Sequence, residues 1–539
     1  MKKNIRRTSS IVLGGFVTLS MFLVVGCGTQ NTAPAEQGES AKPKPGGTIT
    51  VAYAYEPDTL DTHMSVGAAV VYTWPLGGSL LYKDPATNEY KPSLASDYKI
   101  SEDGKTWTFT IRSGITLHDG TPLTAKTFKE TFERALNPQT KAKTTAEILA
   151  PIKSVSAPDE QTLVLELHEP TTAFLETLAS YLSQPLSLKA IEKAGEDYGR
   201  NPVGVGPWKF ESWKTGEGVT YVRNEAFQWG EPYYENQGPP RADKLIIKGI
   251  ADSQLRMSAL ESGAIDVATE VPVKEVKNYR SNPKYQVMER LRPGVGLLLE
   301  MNLSRPEFQN IQVRKALNML VNKEAIIQAV LQGEGEVSHT PLSPSTFGYD
   351  KSLEKYGYEY NVNEAKKLLD DAGWKRNGSG MREKDGKTLS LNMLTTADVD
   401  KQAQLLQAML GEAGINILIQ KLDMAGYMQE VIKGNFDVTL ISGEYDDPDI
   451  LTFYFHSSGA YNLSGVKDDQ LDALLLKGRT TIQTDARKQV YMDVQKRLIE
   501  QAYVVPIYND KSFAVINSRV KGVKWTSVLP TYNDSWIAD

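Results

Sequence analysis

The chain has one cysteine in 539 residues, Cys27, so no disulfide can form within it. It has five histidines, His63, His118, His168, His339 and His456, and no two stand at the i,i+4 or short-loop spacing of a local metal site, so no metal is expected. No phosphate-cradling P-loop occurs, no G-x-G-x-x-G follows a strand-like run, and there is no G-x-S-x-G elbow. The local signatures of nucleotide-dependent and serine-nucleophile chemistry are therefore missing, and neither an enzyme nor a cofactor is expected. Basic residues are the minority, 60 against 66 acidic ones for a formal net charge of −6, which argues against a nucleic-acid partner. Past the N-terminus no apolar run approaches the ~20 residues that cross a bilayer.

What is present begins at the N-terminus. Lys2, Lys3, Arg6 and Arg7 precede an apolar stretch from Ile11 to Val25 that ends in Gly26-Cys27. At about 15 residues the stretch is shorter than a spanning helix, so residues 1–26 read as a cleaved export signal. Val24-Val25-Gly26-Cys27 resembles the bacterial lipobox, which implies lipidation of Cys27 and an extracytoplasmic chain anchored to the cell membrane through it. Gly28 to Pro45 holds small, polar and charged residues with no large apolar side chain, so residues 27–46 are expected to be a lipidated cysteine and a disordered tether. Losing the signal removes four positive charges and leaves the rest more acidic. That remainder is too long for one hydrophobic core, and two or three domains are expected.

From Gly47 to about Leu167 the pattern is strand-like. Tyr98-Lys99-Ile100 and Trp107 to Arg112 flank Asp103-Gly104, a strong hairpin signal. One helix interrupts, with Thr124 as N-cap, Phe128, Phe132, Ala135 and Leu136 on one face, and Pro138 closing it. Beyond about residue 295 helices and strands alternate. Val313, Leu317 and Leu320 mark one helix, Asn322 opens a second that Gly333 ends, and Asn363 is expected to cap a third stopped by Gly373. A strand at 388–394, a helix at 400–412, a strand at 415–422, a helix at 424–433 and a strand at 436–442 follow. This order predicts a parallel sheet covered by helices. Val504 to Tyr508 and Phe513 to Ile516 read as a final strand pair that rejoins the first domain. Gly204-Val205-Gly206-Pro207 reads as a tight turn.

In open α/β sheets ligands bind outside the carboxyl ends of strands. The loop after the 436–442 strand reads Gly443-Glu444-Tyr445-Asp446-Asp447-Pro448-Asp449, four carboxylates around one ring. Such a loop suits an ammonium group with the ring over apolar ligand surface. A solvated acidic turn stopped by proline fits the same residues. Aromatics also gather at Trp74, at Trp208 to Tyr234 and at Phe453 to Tyr461, most of them expected in cores. Trp74, Tyr461 and its neighbour Asn462 are taken as cleft candidates beside Glu444, Tyr445, Asp446 and Asp447.

Several blocks resemble one family, the large solute-binding proteins of bacterial peptide and nickel importers, which includes the oligopeptide- and dipeptide-binding proteins. The most specific is Asp103 to Arg112 followed by Leu117-His118-Asp119-Gly120-Thr121-Pro122-Leu123-Thr124-Ala125. Val203 to Trp208, Arg256 to Leu260, Ser262 to Asp266, Val313 to Leu317, Val321 to Lys323 and Ala365 to Trp374 agree in order. The resemblance implies an α/β, bilobed periplasmic-binding-protein (Venus-flytrap) fold with an extra inserted N-terminal α+β domain. Lobe I would take 47–81, 205–292 and 506–539, the extra domain 82–204, and lobe II 293–505. It implies capture of short peptides between the lobes, by a monomer that delivers them to the permease subunits of an ABC importer. It also places His118 away from the ligand, stabilising the extra domain. Peptide-binding relatives hold the ligand ammonium with an acidic residue at the position of Glu444. Dipeptide-selective relatives hold its carboxylate with an arginine before the 400–412 helix, where this chain has Leu394-Thr395-Thr396-Ala397-Asp398. A longer peptide, a nickel or metallophore chelate, an oligosaccharide, or a signalling receptor without transport are the alternatives.

Overall fold

The structure, a computed structural model, describes residues 43–65, 70–526 and 529–538. The export signal, Cys27 and most of the tether lie outside the described residues. The β-α-β-α-β order predicted for the later half is found, with helices Asp400–Glu412 and Met424–Ile432 between strands Ser390–Thr395, Asn416–Lys421 and Val438–Gly443. Ser390–Thr395 pairs in parallel with both other strands. Leu391 and Met393 face a core shared with Ala403, Leu406 and Leu410 of the covering helix, the two periodicities meeting at one interface.

These strands are one end of a larger sheet. From that end the order is Asn416–Lys421, Ser390–Thr395, Val438–Gly443, Val295–Met301, Val504–Asn517, Val267–Ala268, Thr48–Tyr53, Lys244–Gly249, Gly218–Arg223 and Trp208–Lys214. The expected final strand pair is instead a single strand of 14 residues. Its first part pairs with Val295–Met301 (Val504 with Glu300, Tyr508 with Leu297) and its second with Tyr285–Leu291 (Lys511 with Leu291, Asn517 with Tyr285). Residues 509–512, between the two expected runs, stay extended because Gly335–Val337 pairs with Asn509 and Asp510 and Tyr285–Leu291 with Lys511 and Ser512.

The chain thus passes between the two halves of the sheet at residues 292–294 and again at 509–510. Gly294 has φ +98°, and a β-carbon on it would stand 2.2 Å from the Gly443 carbonyl oxygen, so this crossing admits glycine alone.

A separate four-stranded antiparallel sheet is built from Ala95–Ile100, Thr106–Ile111, Thr162–Leu167 and Ile152–Ser156. The Asp103-Gly104 turn joins its first two strands, and the Trp107 indole donates to the Gly104 carbonyl at 2.9 Å. Helix Ala125–Leu136 opens with a capping box between Thr124 and Thr127 and lays Phe128 and Phe132 on Trp107, Phe109, Leu163 and Leu165.

Two local readings change. The helix expected to start at Asn363 is Val362–Asp371, capped by Asn361, whose side chain accepts from the Glu364 N–H. Gly204 to Pro207 is more than a turn. The N–H groups of Val205 and Gly206 both donate to the Leu76 carbonyl, and a β-carbon on Gly204 would lie 1.9 Å from that oxygen. The glycines allow two backbones to touch.

Candidate functional site

Strand Val438–Gly443 ends at the crossing point, and the acidic loop follows it into helix Ile450–Phe455. The loop is not a solvated turn, because each of its carboxylates already has a cation. Glu444 accepts from Arg290 Nη2 and, at 2.7 Å, from Arg292 Nη1. Asp446 Oδ1 lies 3.2 Å from Lys83 Nζ. Asp447, fully buried, is held by both Nη atoms of Arg487 at 2.7 and 2.8 Å, and its Oδ1 accepts from the Asp449 N–H. Asp449 takes Arg479 Nη2 at 2.9 Å and the Thr452 hydroxyl at 2.7 Å. Burying a carboxylate without such a partner costs roughly several kcal/mol, which applies in full to Asp447 and in part to Asp446 and Asp449, while Glu444 stays exposed.

Asp449 also lines a cavity, but of the four carboxylates Glu444 alone reaches two. One is of about 680 Å³ with Tyr445, Ile450, Phe453, Tyr454 and Arg479, and one of about 220 Å³ with Tyr53, Tyr55, Glu270, Arg290 and Arg292. Both cavities hold charge of both signs, Glu444 and Asp449 with Arg479 in the larger and Glu270 and Glu444 with Arg290 and Arg292 in the smaller; the larger adds the apolar surface of Tyr445, Ile450, Phe453, Tyr454 and Leu476. Burial, then Glu270 and Glu444, push the Tyr55 phenol up to about 12, so it keeps its proton and serves as a donor beside these carboxylates. Burial opposes the charge on Arg292, but Glu444 and Asp510 outweigh it and hold the guanidinium above its ordinary value.

The other expected site residues fall in different places. Tyr445 is 40% exposed on the wall of the larger cavity. Tyr461 stacks on Phe453, ring centroids 4.6 Å apart at 25°, and so backs that wall from behind. Asn462 spends its amide on a turn, donating to the Val466 carbonyl and accepting from the Val466 N–H, both at 2.9 Å. Trp74 lines a different cavity of about 40 Å³, water-sized, with Tyr53, Trp208, Trp229 and Tyr234. The structure therefore brings Glu444, Tyr445 and Phe453 together and leaves Trp74 and Asn462 apart from them. Asp446 and Asp447 anchor the loop through Lys83 and Arg487.

Arg290, Arg292 and Arg479 were missed. The first two sit just before Pro293-Gly294, and the alternation Arg290-Leu291-Arg292 into a Pro-Gly break was the available signal. His118 lies outside these cavities, its Nε2 3.0 Å from the Gly206 carbonyl. Among the described residues no group of three His, Cys, Asp or Glu side chains is arranged to hold a metal ion. No helix among them is long and apolar enough to cross a membrane.

A model of the bacterial extracellular solute-binding proteins, family 5 Middle, matches residues 89–464. The chain is 28% identical over 467 residues to heme-binding protein A of Haemophilus influenzae, covering 81% of this chain and 82% of that one. It is 25% identical over 554 residues to the oligopeptide-binding protein AppA of Bacillus subtilis, covering 98% and 99%. Among solved structures, HbpA2 from Haemophilus parasuis superposes with a TM-score of 0.81 at 22% identity, over 92% of this chain and all of that one. The bilobed α/β fold expected from the sequence is the fold of these proteins.

Proposed function

Because the chain belongs to the family 5 bacterial extracellular solute-binding proteins, carriers that serve ABC importers and are not enzymes, we propose that its solute is a short peptide enclosed between two lobes. The lobes are 47–81 with 205–292 and 506–539 on one side and 293–505 on the other, with 82–204 as an inserted domain. The observation that carries this reading is the position of Glu444, on the wall of two cavities beside the crossings at 292–294 and 509–510. A peptide is zwitterionic, and here Glu444 and Glu270 can meet its ammonium end while Arg290, Arg292 and Tyr55 donate to carbonyl or carboxylate oxygens. Tyr445 and Phe453 then cover apolar side chains. Lobe closure buries the solute and presents a shape that the permease recognises. Lipidation of Cys27 keeps the chain, a monomer, at the outer face of the cell membrane.

The test is calorimetry with trialanine and N-acetyl-trialanine. Wild type binds the free amine more tightly, and Glu444→Gln loses a few kcal/mol for that ligand, roughly the cost of removing one charged partner, so that the preference disappears. An unchanged preference in the variant rejects the role of Glu444. A metal chelate is the second reading, favoured by the stacked Phe453 and Tyr461 behind the larger cavity and by the heme-binding relative. Stoichiometric metal in the purified protein would select it over the peptide.

A further inference from the structure

Another cavity, of about 380 Å³, opens where residues 112–118 meet residues 205–229; it shares no lining residue with the two cavities on either side of Glu444, and touches the small Trp74 cavity only through Phe227 and Trp229. Arg112, Ser113, Thr116, Lys209, Asn224 and Gln228 supply its polar wall, and none of its lining residues is a carboxylate. That is unusual in a chain whose acidic residues outnumber its basic ones. Neighbouring cations are paired, Lys244 with Glu211 at 2.8 Å and Arg223 with Glu225 at 2.9 Å. Neither Arg112 nor Lys209 forms an ion pair or a side-chain hydrogen bond among the described residues, and the Arg112 Nε is buried with no acceptor.

The negative groups near this wall are turned to other partners. Glu231, whose field reaches Arg112, is half-buried, accepts from the Ser93 hydroxyl at 2.9 Å, and is pushed by desolvation toward its neutral form. Asp119 takes the Ser187 hydroxyl at 2.7 Å and the Thr121 N–H at 3.0 Å. His118 adds no charge, since burial pulls its pKa down to about 4 although its Nε2 faces the Gly206 carbonyl, which favours the proton.

The frame is rigid. The His118 N–H donates to the Gly204 carbonyl at 2.8 Å, Asn224 Nδ2 donates to Gly206 at 3.0 Å, and both glycines rest against the Leu76 backbone. Two like charges on a fixed, partly desolvated wall, one with an orphaned donor, call for an acceptor that both can share.

We infer that this cavity binds a small oxyanion, a phosphate or carboxylate group held between the Arg112 guanidinium and the Lys209 ammonium. The group can belong to a free anion or to an acidic lipid headgroup, and the chemistry of recognition is the same. Arginine supplies a planar fork for two oxygens, and lysine a point charge for a third.

The experiment uses the full chain, wild type and the variants Lys209→Gln and Arg112→Gln, with trialanine binding as the control for intact folding. Inorganic phosphate is titrated by calorimetry against an equal ionic strength of chloride, and sedimentation is measured with vesicles of phosphatidylglycerol in phosphatidylcholine. Phosphate binding to wild type that weakens at least tenfold in Lys209→Gln, with trialanine affinity unchanged, supports a free anion. Vesicle binding with the same loss, and no phosphate binding, supports the headgroup. Absence of both, or equal binding by wild type and Lys209→Gln, overturns the site. Lys209 is half-exposed, so its variant keeps the test decisive even if Arg112→Gln fails to fold.

Discussion

The Lys83 ammonium lies 3.2 Å from the Asp446 carboxylate and 3.0 Å from the Asp446 carbonyl oxygen, with the two side chains 3% and 12% exposed. The residues are 363 positions apart, one on strand Leu81–Lys83 and the other in the loop after Val438–Gly443. Around them, Tyr90 donates to Glu176 at 2.7 Å, and the Thr172 N–H and hydroxyl donate to the Arg479 carbonyl. The segment proposed as an inserted domain is thus bonded to the proposed second lobe at a place well separated in sequence from both crossings.

Lys83→Met tests what this contact does. Removing one partner of a buried pair strands the other at a cost of ~3–5 kcal/mol. Asp446 regains water if the two parts separate, so the loss should appear as opening rather than unfolding. The expected result is a larger radius of gyration by small-angle scattering without peptide, and faster peptide release, at a nearly unchanged unfolding midpoint. Identical scattering curves for wild type and variant would remove the latch role.

The acidic loop shows where sequence reading stops. Four carboxylates in six residues were visible, and so was their place after a strand. Their counterions were not, because Lys83, Arg290, Arg292, Arg479 and Arg487 come from segments 30 to 363 positions away. Helix Asp400–Glu412 was legible to the residue, since its apolar stripe of Ala403, Leu406 and Leu410 has a local period. Strand Val504–Asn517 was read as two, because Asn509-Asp510-Lys511-Ser512 between the apolar runs is wholly polar and only the flanking strands hold it extended. Local periodicity carries to the elements; long-range charge pairing and strand continuity are decided by the assembled sheet.

Phe453→Ala separates cavity lining from folding. The ring is 41% exposed and stacked on Tyr461, a pair worth ~0.5–1.5 kcal/mol beyond its buried area. Thermal denaturation should therefore move by a few degrees at most, while peptides with large apolar side chains lose affinity and trialanine does not. Equal losses for both peptide classes would place the ring outside the contact surface.

Arg382→Met is the opposite case. Arg382 is 2% exposed and donates to the carbonyls of Ala413 at 2.8 Å, Trp374 at 2.6 Å and Lys366 at 3.1 Å and to Asp370 at 2.8 Å. Its loss orphans three carbonyls, while Asp370, with its side chain 43% exposed, turns to water, so urea denaturation should show a drop of ~3 kcal/mol, about 1 kcal/mol or more for each unpaired carbonyl. Peptide affinity of the folded fraction should be unchanged, because Arg382 lines none of the cavities beside Glu444.

Glu300 makes stability depend on pH. It sits in strand Val295–Met301, is fully buried, and neither carboxylate oxygen has a hydrogen-bond partner. Burial pushes its pKa up to about 8 from an ordinary 4.5, opposed only by the nearby Ser464 hydroxyl. Between those two values the folded chain holds a proton that the unfolded chain has released. Unfolding then becomes easier as pH rises, and the contribution of Glu300 is largest below 4.5 and fully lost once pH exceeds 8. Glu300→Gln keeps the shape and has no proton to lose, so its stability relative to wild type should climb between pH 5 and 7 by roughly 2–3 kcal/mol, at most ~1.4 kcal/mol per pH unit. Urea titrations of both proteins at pH 5, 6, 7 and 8 measure the difference. Parallel pH profiles would mean that Glu300 is ionised in the folded chain and that its neighbours, Tyr427 and Tyr454 among them, solvate the charge.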